Sequence, residues 1–375
     1  MRNKKHLLSL EFLNGIINGY MYSRILEHAP DHIVQNGKIN FGSFYGIPKK
    51  IDIRGVKAPF AGVPTWKFFS NFRIKSRIFF VFSNEQYIGM VEFFDDKAFG
   101  IAEVIFWDKN NGLKYAYHSF MGPRRRFVPT NTQNAACNTF GKNRNIKISW
   151  NRKNNTISMT FLVKGDKFRP AAKARFNAYF PAKEEGELLT VTPAPTTQRC
   201  SATWTIPLKV EGGIQLAKTR KEINPIQQEK GLGIMLLNRI YLKFHSSSEV
   251  MFGLINKNEK NIVFHFSTDN QESLDPDQFN DNYLSVDGQI TALPPVCITH
   301  PFGIEKKWIV QDTESMVDLS FTPISLAKRT LNIILMRNAY SKIYGTFDGV
   351  LMTKDGEKII LKNCPGIVKK NLLRL

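Results

Sequence analysis

The chain has 375 residues, more than one hydrophobic core usually serves, so two units are expected, together burying about three quarters of their extended surface. Its 52 Lys and Arg against 32 Asp and Glu leave a net charge of +20; such a field draws nucleic acid, anionic membrane or acidic ligands, yet a diffuse positive surface reads first as simply solvated. Cys137, Cys200, Cys297 and Cys364 are each more than sixty residues apart, which excludes a local C-x-x-C pair and a disulfide framework and fits a reducing, cytoplasmic setting.

Residues 1–36 open with Arg2, Lys4 and Lys5, followed by Leu7, Leu8, Leu10, Phe12, Leu13, Ile16, Ile17 and Tyr20 at helical spacing. The pattern predicts an N-terminal helical segment with a broad apolar face. Glu11, Asn14, Gly15, Asn18 and Gly19 interrupt the run before any small-residue cleavage site, so it does not read as an export signal. No stretch approaches the ~20 apolar residues of a membrane-crossing helix.

From Gly37 the period changes to two. Ile51-Asp52-Ile53, Ile78 to Phe82, Tyr87 to Phe94, Ile101 to Trp107 and Leu113 to Phe120 are predicted strands, with Asp108 to Gly112 a turn. Arg124-Arg125-Arg126, between Pro123 and Pro129, reads as a connection. Asn145 to Trp150 and Thr156 to Phe161 alternate cleanly across the polar turn Asn151 to Asn155. Thr190 to Arg199 carries Pro193 and Pro195, which disfavour central strand pairing, and reads as the passage between two halves.

Beyond it Trp204 to Val210, Met235 to Phe244, Val250 to Ile255, Ile262 to Ser267, Asn282 to Ile290, Trp308 to Val310, Val317 to Phe321 and Leu331 to Met336 resume the strand rhythm. Asp269 to Asp281 is acidic and reads as a surface loop. The last hairpin, Ser341 to Leu361, turns at Asp355-Gly356, residues that tolerate positive φ. Strands follow one another without helical patterns between them, which predicts an antiparallel sandwich or barrel. The expected divisions are 1–36, 37–192 and 193–375.

Gly42-x-Phe44-x-Gly46 with Ile51-Asp52, Trp66 ahead of an aromatic strand, Trp204 after the threonine-proline passage, Asn282-Tyr283-Leu284 with Asp287-Gly288, and Asn332 ahead of Tyr340 and Gly345-Thr346-Phe347-Asp348-Gly349 follow one another in a telling order. That order resembles the bacterial domain-of-unknown-function family 2804 over most of the chain from about Gly37. The family is similar to tandem lipocalin-like (AttH-like) proteins that include carotenoid hydratases and terpenoid or polyketide cyclases. The resemblance implies an all-β chain of two tandem lipocalin-like antiparallel barrels or strongly bent sheets around an apolar cavity. The chain departs from the family pattern at Gly231-Leu232-Gly233-Ile234-Met235 and where Gly366-Ile367-Val368 leads to Lys369-Lys370-Asn371. These departures favour binding over a reaction shared by the family.

No P-loop, G-x-G-x-x-G, H-E-x-x-H or G-x-S-x-G pattern occurs, so no cofactor is expected and the common nucleotide, zinc and serine chemistries lose weight. His28 and His32, with Glu27 and Asp31, would share a helix face, but Pro30 stands between them; Asp275, Asp277 and Asp281 lack the loop glycine of a calcium site. No metal site is expected. Asp95-Asp96 would point to opposite faces of a strand, which excludes a catalytic carboxylate pair, and reads as a turn. His245 and Glu249 form a candidate acid and orienter, and His265, alternating with Val263 and Ser267, a candidate proton donor in an apolar lumen. Core or solvent-facing histidines account for the same residues. Trp66 and Trp204 are candidate ligand-binding residues. The 29 Phe, 11 Tyr and 5 Trp would wall a cavity, or equally fill two cores. The expected function is binding of a hydrophobic small molecule in a β-barrel cavity. The alternatives are a hydratase, isomerase or cyclase-type enzyme on a lipid-like substrate, and a basic protein that binds nucleic acid or anionic membrane.

Overall fold

The computed structural model describes residues 24–57, 71–122, 127–141, 143–257, 259–269, 275–333 and 336–374. In chain order its strands are β1 (Leu26–His28), β2 (Val34–Gln35), β3 (Lys38–Ile39), β4 (Gly42–Tyr45), β5 (Ile74–Ser83), β6 (Tyr87–Asp95), β7 (Gly100–Asp108), β8 (Lys114–Met121), β9 (Asn134–Phe140), β10 (Arg144–Asn151), β11 (Thr156–Val163) and β12 (Ala171–Ala178). They continue with β13 (Leu188–Pro193), β14 (Cys200–Ala217), β15 (Glu229–Tyr241), β16 (His245–Lys257), β17 (Lys260–Asp269), β18 (Tyr283–Val286), β19 (Gln289–Ala292), β20 (Cys297–Thr299), β21 (Trp308–Gln311), β22 (Val317–Ile333), β23 (Met336–Met352) and β24 (Lys358–Arg374).

Alternation in the sequence becomes alternation in burial. In β11 Ile157, Met159, Phe161 and Val163 are buried while Ser158, Thr160 and Leu162 face partly outward, as the two-residue period of a strand requires. The first sheet runs β8-β7-β6-β5-β15-β14-β12-β11-β10-β9, with β13 alongside β14 and β4 alongside β13. Its two ends nearly meet, bridged by a 3.1 Å hydrogen bond between Ser119 of β8 and Thr139 of β9, so it is an almost closed barrel. The second sheet, β19-β18-β17-β16-β24-β23-β22-β21-β20, is a half-barrel. The last hairpin forms as the sequence predicts: Gly356 takes φ +80° in the turn, and Gly349, at φ +135°, sits beside a register shift in β23.

Three local expectations are corrected. The described part of the N-terminal segment, 24–36, is extended rather than helical: β1 pairs in parallel with β4, Leu26 opposite Ser43. Residues 1–23, including the apolar run Leu7 to Tyr20, lie outside the described residues. Ile51-Asp52-Ile53 is not a strand; Ile51 and Ile53 are buried, but they plug the barrel from a coil held by Ile51 N–H to Thr130 O at 2.9 Å and Tyr241 O–H to Ile53 O at 3.0 Å. Thr190 to Arg199 is a corner inside the first sheet, where β13 turns back on β14 with Pro193 opposite Cys200. The chain changes sheet between Tyr241 and His245.

The barrel interior is filled by Phe80, Phe82, Phe93, Phe106, Phe161, Trp150 and Trp204 among others. The concave face of the half-barrel holds Phe264, Phe266, Trp308, Phe321 and Phe347. A third apolar layer joins the sheets: Phe79, Met90, Ile105, Trp107 and Leu236 on the outside of the barrel pack against Phe252, Tyr344 and Ile367. Each such side chain contributes ~1.5–3 kcal/mol on burial, so the two sheets form one packed body. That covering explains why β6 and β7 are buried at every position. Cys137, Cys200 and Cys364 are buried and Cys297 is exposed. Among the described residues no helix is long and apolar enough to cross a membrane.

Candidate ligand cleft between the sheets

Register decides which side chains meet across the interface. On the barrel, Thr203, Asn238, Arg77 and Phe94 lie side by side across β14, β15, β5 and β6. The neighbouring row is Leu236, Phe79, Glu92, Glu103 and His118. On the half-barrel, Ser267, Val250, Lys369 and Lys342 form one row and His265, Phe252, Ile367 and Tyr344 the next. These faces enclose a cleft of about 140 Å³ whose walls include Arg77, Phe79, Ser201, Thr203, Leu236, Asn238 and Ile240 from the barrel and Val250, His265, Ser267, Asn280, Asp281 and Lys369 from the half-barrel.

His265 is fully buried. Its Nδ1 lies 3.2 Å from the Asp281 carbonyl, which can only accept, so Nδ1 carries the proton and Nε2 presents a lone pair. That Nε2 is buried without a hydrogen-bond partner. Burial pushes the imidazole pKa down, against the opposing pull of Asp281, so the ring is neutral at pH 7. On the opposite wall Asn238 Nδ2 donates to Ser201 Oγ and Thr203 Oγ1, both at 2.9 Å. Over one side lies the segment Pro276 to Asn282. Arg24 fastens it by donating to the carbonyls of Asn280 and, at 2.6 Å, Asn282, while Phe41 packs edge-on against Phe279 with centroids 6.0 Å apart.

Beside the cleft runs a buried charge cluster. Lys342 Nζ is 2.7 Å from Glu92 and 2.5 Å from Glu103; Lys369 pairs with Glu92, and His118 Nδ1 is 3.0 Å from Glu103. Burial alone would raise both carboxyls, but Lys342, with Lys369 and Arg77, brings Glu92 down to about 2, and Lys342 with His118 holds Glu103 below the usual range. Lys342 goes up because Glu103 and Glu92 outweigh its burial. Lys369 falls to about 7, since burial, Arg77 and Lys342 outweigh its single carboxylate partner Glu92.

Among the described residues only one sequence-predicted site residue, His265, lines the cleft. Trp204 stands inside the barrel, 6.0 Å from Trp150 between centroids, and donates Nε1–H to Glu187 at 3.0 Å. Trp66 and Arg124 to Arg126 lie outside the described residues. His245 is exposed at the start of β16, and four residues of extended strand put it roughly 13 Å from Glu249. Glu249 is instead held by His300 at 2.9 Å and Lys370 at 2.7 Å. His28 is exposed and pairs with Glu184 at 3.2 Å; Asp96 pairs with Lys75 at 2.7 Å. Asp281 accepts from Ser267. Among the described residues no group of three His, Cys, Asp or Glu is placed to hold a metal ion. Arg77, Asn238, Lys342 and Lys369 carry no motif, but Glu92 and Glu103 leave a trace: a charged residue in the middle of an apolar strand demands a buried partner.

A second hollow of about 380 Å³ lies outside β10 to β12, against Pro225 to Gln228. Its charged side chains, Lys173 and Arg175, are exposed, so it lacks the desolvated polar groups of the cleft. Inside the barrel, Glu187 answers both Trp204 and Arg152, the latter at 2.9 and 2.5 Å. Glu187→Ala leaves the buried Trp204 donor and the half-buried Arg152 unmatched and is expected to cost about 2–3 kcal/mol, read as a lowered urea midpoint, with Glu187→Gln recovering part.

An all-β chain with a nearly closed barrel, a half-barrel and a polar cleft between them defines the class of protein. The sequence matches the domain of unknown function DUF2804 over residues 27–375, and the chain belongs to that family. A comparison with curated proteins finds no match. Among solved structures it is similar to an AttH-like protein of Nitrosomonas europaea at 12% identity and a TM-score of 0.48, covering 80% of this chain and 92% of that one. It is also similar to kievitone hydratase from Nectria haematococca, at 8% identity and a TM-score of 0.43, covering 80% and 88%. CghA in complex with Sch210972 aligns at 9% identity and a TM-score of 0.41, over the same shares of the two chains.

Proposed function

We propose that the protein binds a small organic molecule, part apolar and part polar, in the cleft between its two sheets. The observation that carries this reading is His265 Nε2, a buried acceptor with no partner on the wall of a cleft that mixes Phe79, Leu236 and Val250 with hydroxyl and amide groups. An unmatched buried acceptor costs about 1–3 kcal/mol, which a ligand donor would return. A space of about 140 Å³ is close to the roughly 150 Å³ that takes a benzene ring, so the buried part of the ligand is ring-sized or a short branched chain. Native mass spectrometry of the full chain is the test. A small organic mass is expected on the folded protein, absent from a Ser248→Trp variant that fills the cleft from a half-exposed wall position; a bare chain in both would remove the reading.

A second reading is proton transfer on the bound molecule, of the kind a hydratase or isomerase performs. His265 favours it, because a neutral imidazole with a free lone pair can take a proton from a ligand in a dry site. Incubation of the co-purified molecule with the protein in D₂O tests it: deuterium incorporation that stops in His265→Gln is expected, and incorporation at the same rate in that variant would rule the histidine out.

A further inference from the structure

We infer that the molecule held in this cleft carries a carboxylate on an apolar body, and that Arg77 receives the carboxylate. The inference rests on the cleft being a ligand site and names what that ligand must look like.

Arg77 reaches the cleft from the middle of β5 and is half-buried there. Its guanidinium stacks 4.9 Å from the centre of the Phe94 ring, and it makes no hydrogen bond or ion pair among the described residues. Other enclosed arginines are spoken for: Arg24 by the Asn280 and Asn282 carbonyls, Arg152 by Glu187, Arg239 by Ser76 and the Val128 carbonyl. The five N–H donors of its rigid fork therefore have no acceptor among the described residues. None of the acids that act on Arg77 forms an ion pair with it. Glu92 belongs to Lys342 and Lys369, Asp96 belongs to Lys75, and Asp269 acts on Arg77 only through space.

The neighbours fit the same guest. Asn238, beside Arg77 in the register, gives both amide protons to Ser201 and Thr203, and each accepting hydroxyl still has its own proton to donate. Two hydroxyl donors and a guanidinium thus share one wall. Phe79, Leu236 and Ile240 supply apolar surface around them, which a bare inorganic anion would not use. His265, opposite, is an acceptor and reads a donor elsewhere on the molecule. A planar carboxylate matches the guanidinium fork bidentately, the stronger form of such a contact.

The test titrates the full chain with 3-phenylpropanoate, with 3-phenylpropan-1-ol and with inorganic phosphate, by calorimetry. The acid is expected to bind at least ten-fold more tightly than the alcohol. Arg77→Gln should erase that preference, weakening the acid far more than the alcohol, while Arg77→Lys, which keeps charge but not the fork, should retain part of it. Should Arg77→Gln not fold, phenylglyoxal modification of the unaltered protein decides, with the acid and not the alcohol shielding Arg77. Equal binding of acid and alcohol would overturn the carboxylate and leave the cleft reading standing; no binding of either would remove both. Phosphate binding as tightly as the acid would overturn the apolar body.

Discussion

Lys342→Met is expected to destabilise the protein by about 3–5 kcal/mol, the cost of leaving a buried carboxylate without its counter-ion. Lys342 is fully buried and, among the described residues, is the one cation touching both Glu92 and Glu103. Without it, among the described residues, Glu103 keeps only the ion pair with His118, and Glu92 only that with Lys369. Methionine fills nearly the same space, so the loss isolates charge from volume. Urea unfolding of the variant should show a much lower midpoint, and adding Glu103→Gln should recover a large share by removing the stranded charge. A Lys342→Met protein with an unchanged midpoint would show that the cluster contributes no net stability to the joined sheets.

Acid should dismantle the same interface. Glu92 has its pKa lowered from 4.5 to about 2 and Glu103 is lowered as well, so their contribution is complete above the ordinary carboxyl value and disappears as pH falls through the folded value. For Glu92 the shift is worth on the order of 3 kcal/mol, and Glu103 adds in the same direction. Lys342, raised by its partners, is charged in folded and unfolded chains across this window and adds no slope. His118 and His265, both lowered by burial from 6.5, hold fewer protons folded than unfolded, so they begin the decline just below neutrality. Lys369, lowered from 10.5 to about 7, acts on the other side: stability rises with pH between those two values. Urea midpoints at several pH values should therefore fall gently below about 6.5 and steeply below about 4.5. A level profile from neutral to pH 3.5 would exclude the cluster as a source of stability, and in Lys342→Met the steep limb should flatten.

Strands with one wet face were legible in the sequence. Asn145 to Trp150 and Thr156 to Phe161 alternate because β10 and β11 show one side to water. Tyr87 to Asp95 was legible as a strand but not as one covered twice; its continuous burial comes from the half-barrel, which no local pattern announces. Ile51 and Ile53 misled because burial and strand formation are separate facts, and here a coil buries two isoleucines. The prolines near Thr190 marked a corner, and the same chemistry would mark a linker. His265 could be named from its alternation with Val263 and Ser267. Arg77 and Lys369 could not, because they meet His265 only through strand pairings that span most of the chain.

Those pairings also set an order of events on the ribosome. Ser83 waits 149 residues for Leu232, and Gly253 waits 113 for Gly366, so nascent chain accumulates before either sheet can close. Contacts this distant form slowly. Until β24 emerges, the doubly apolar β6 and β7 lack one of their covers and invite non-native association. Slow maturation is thus written into the connectivity, and the cleft, walled in part by Lys369, cannot be complete before β24 is in place.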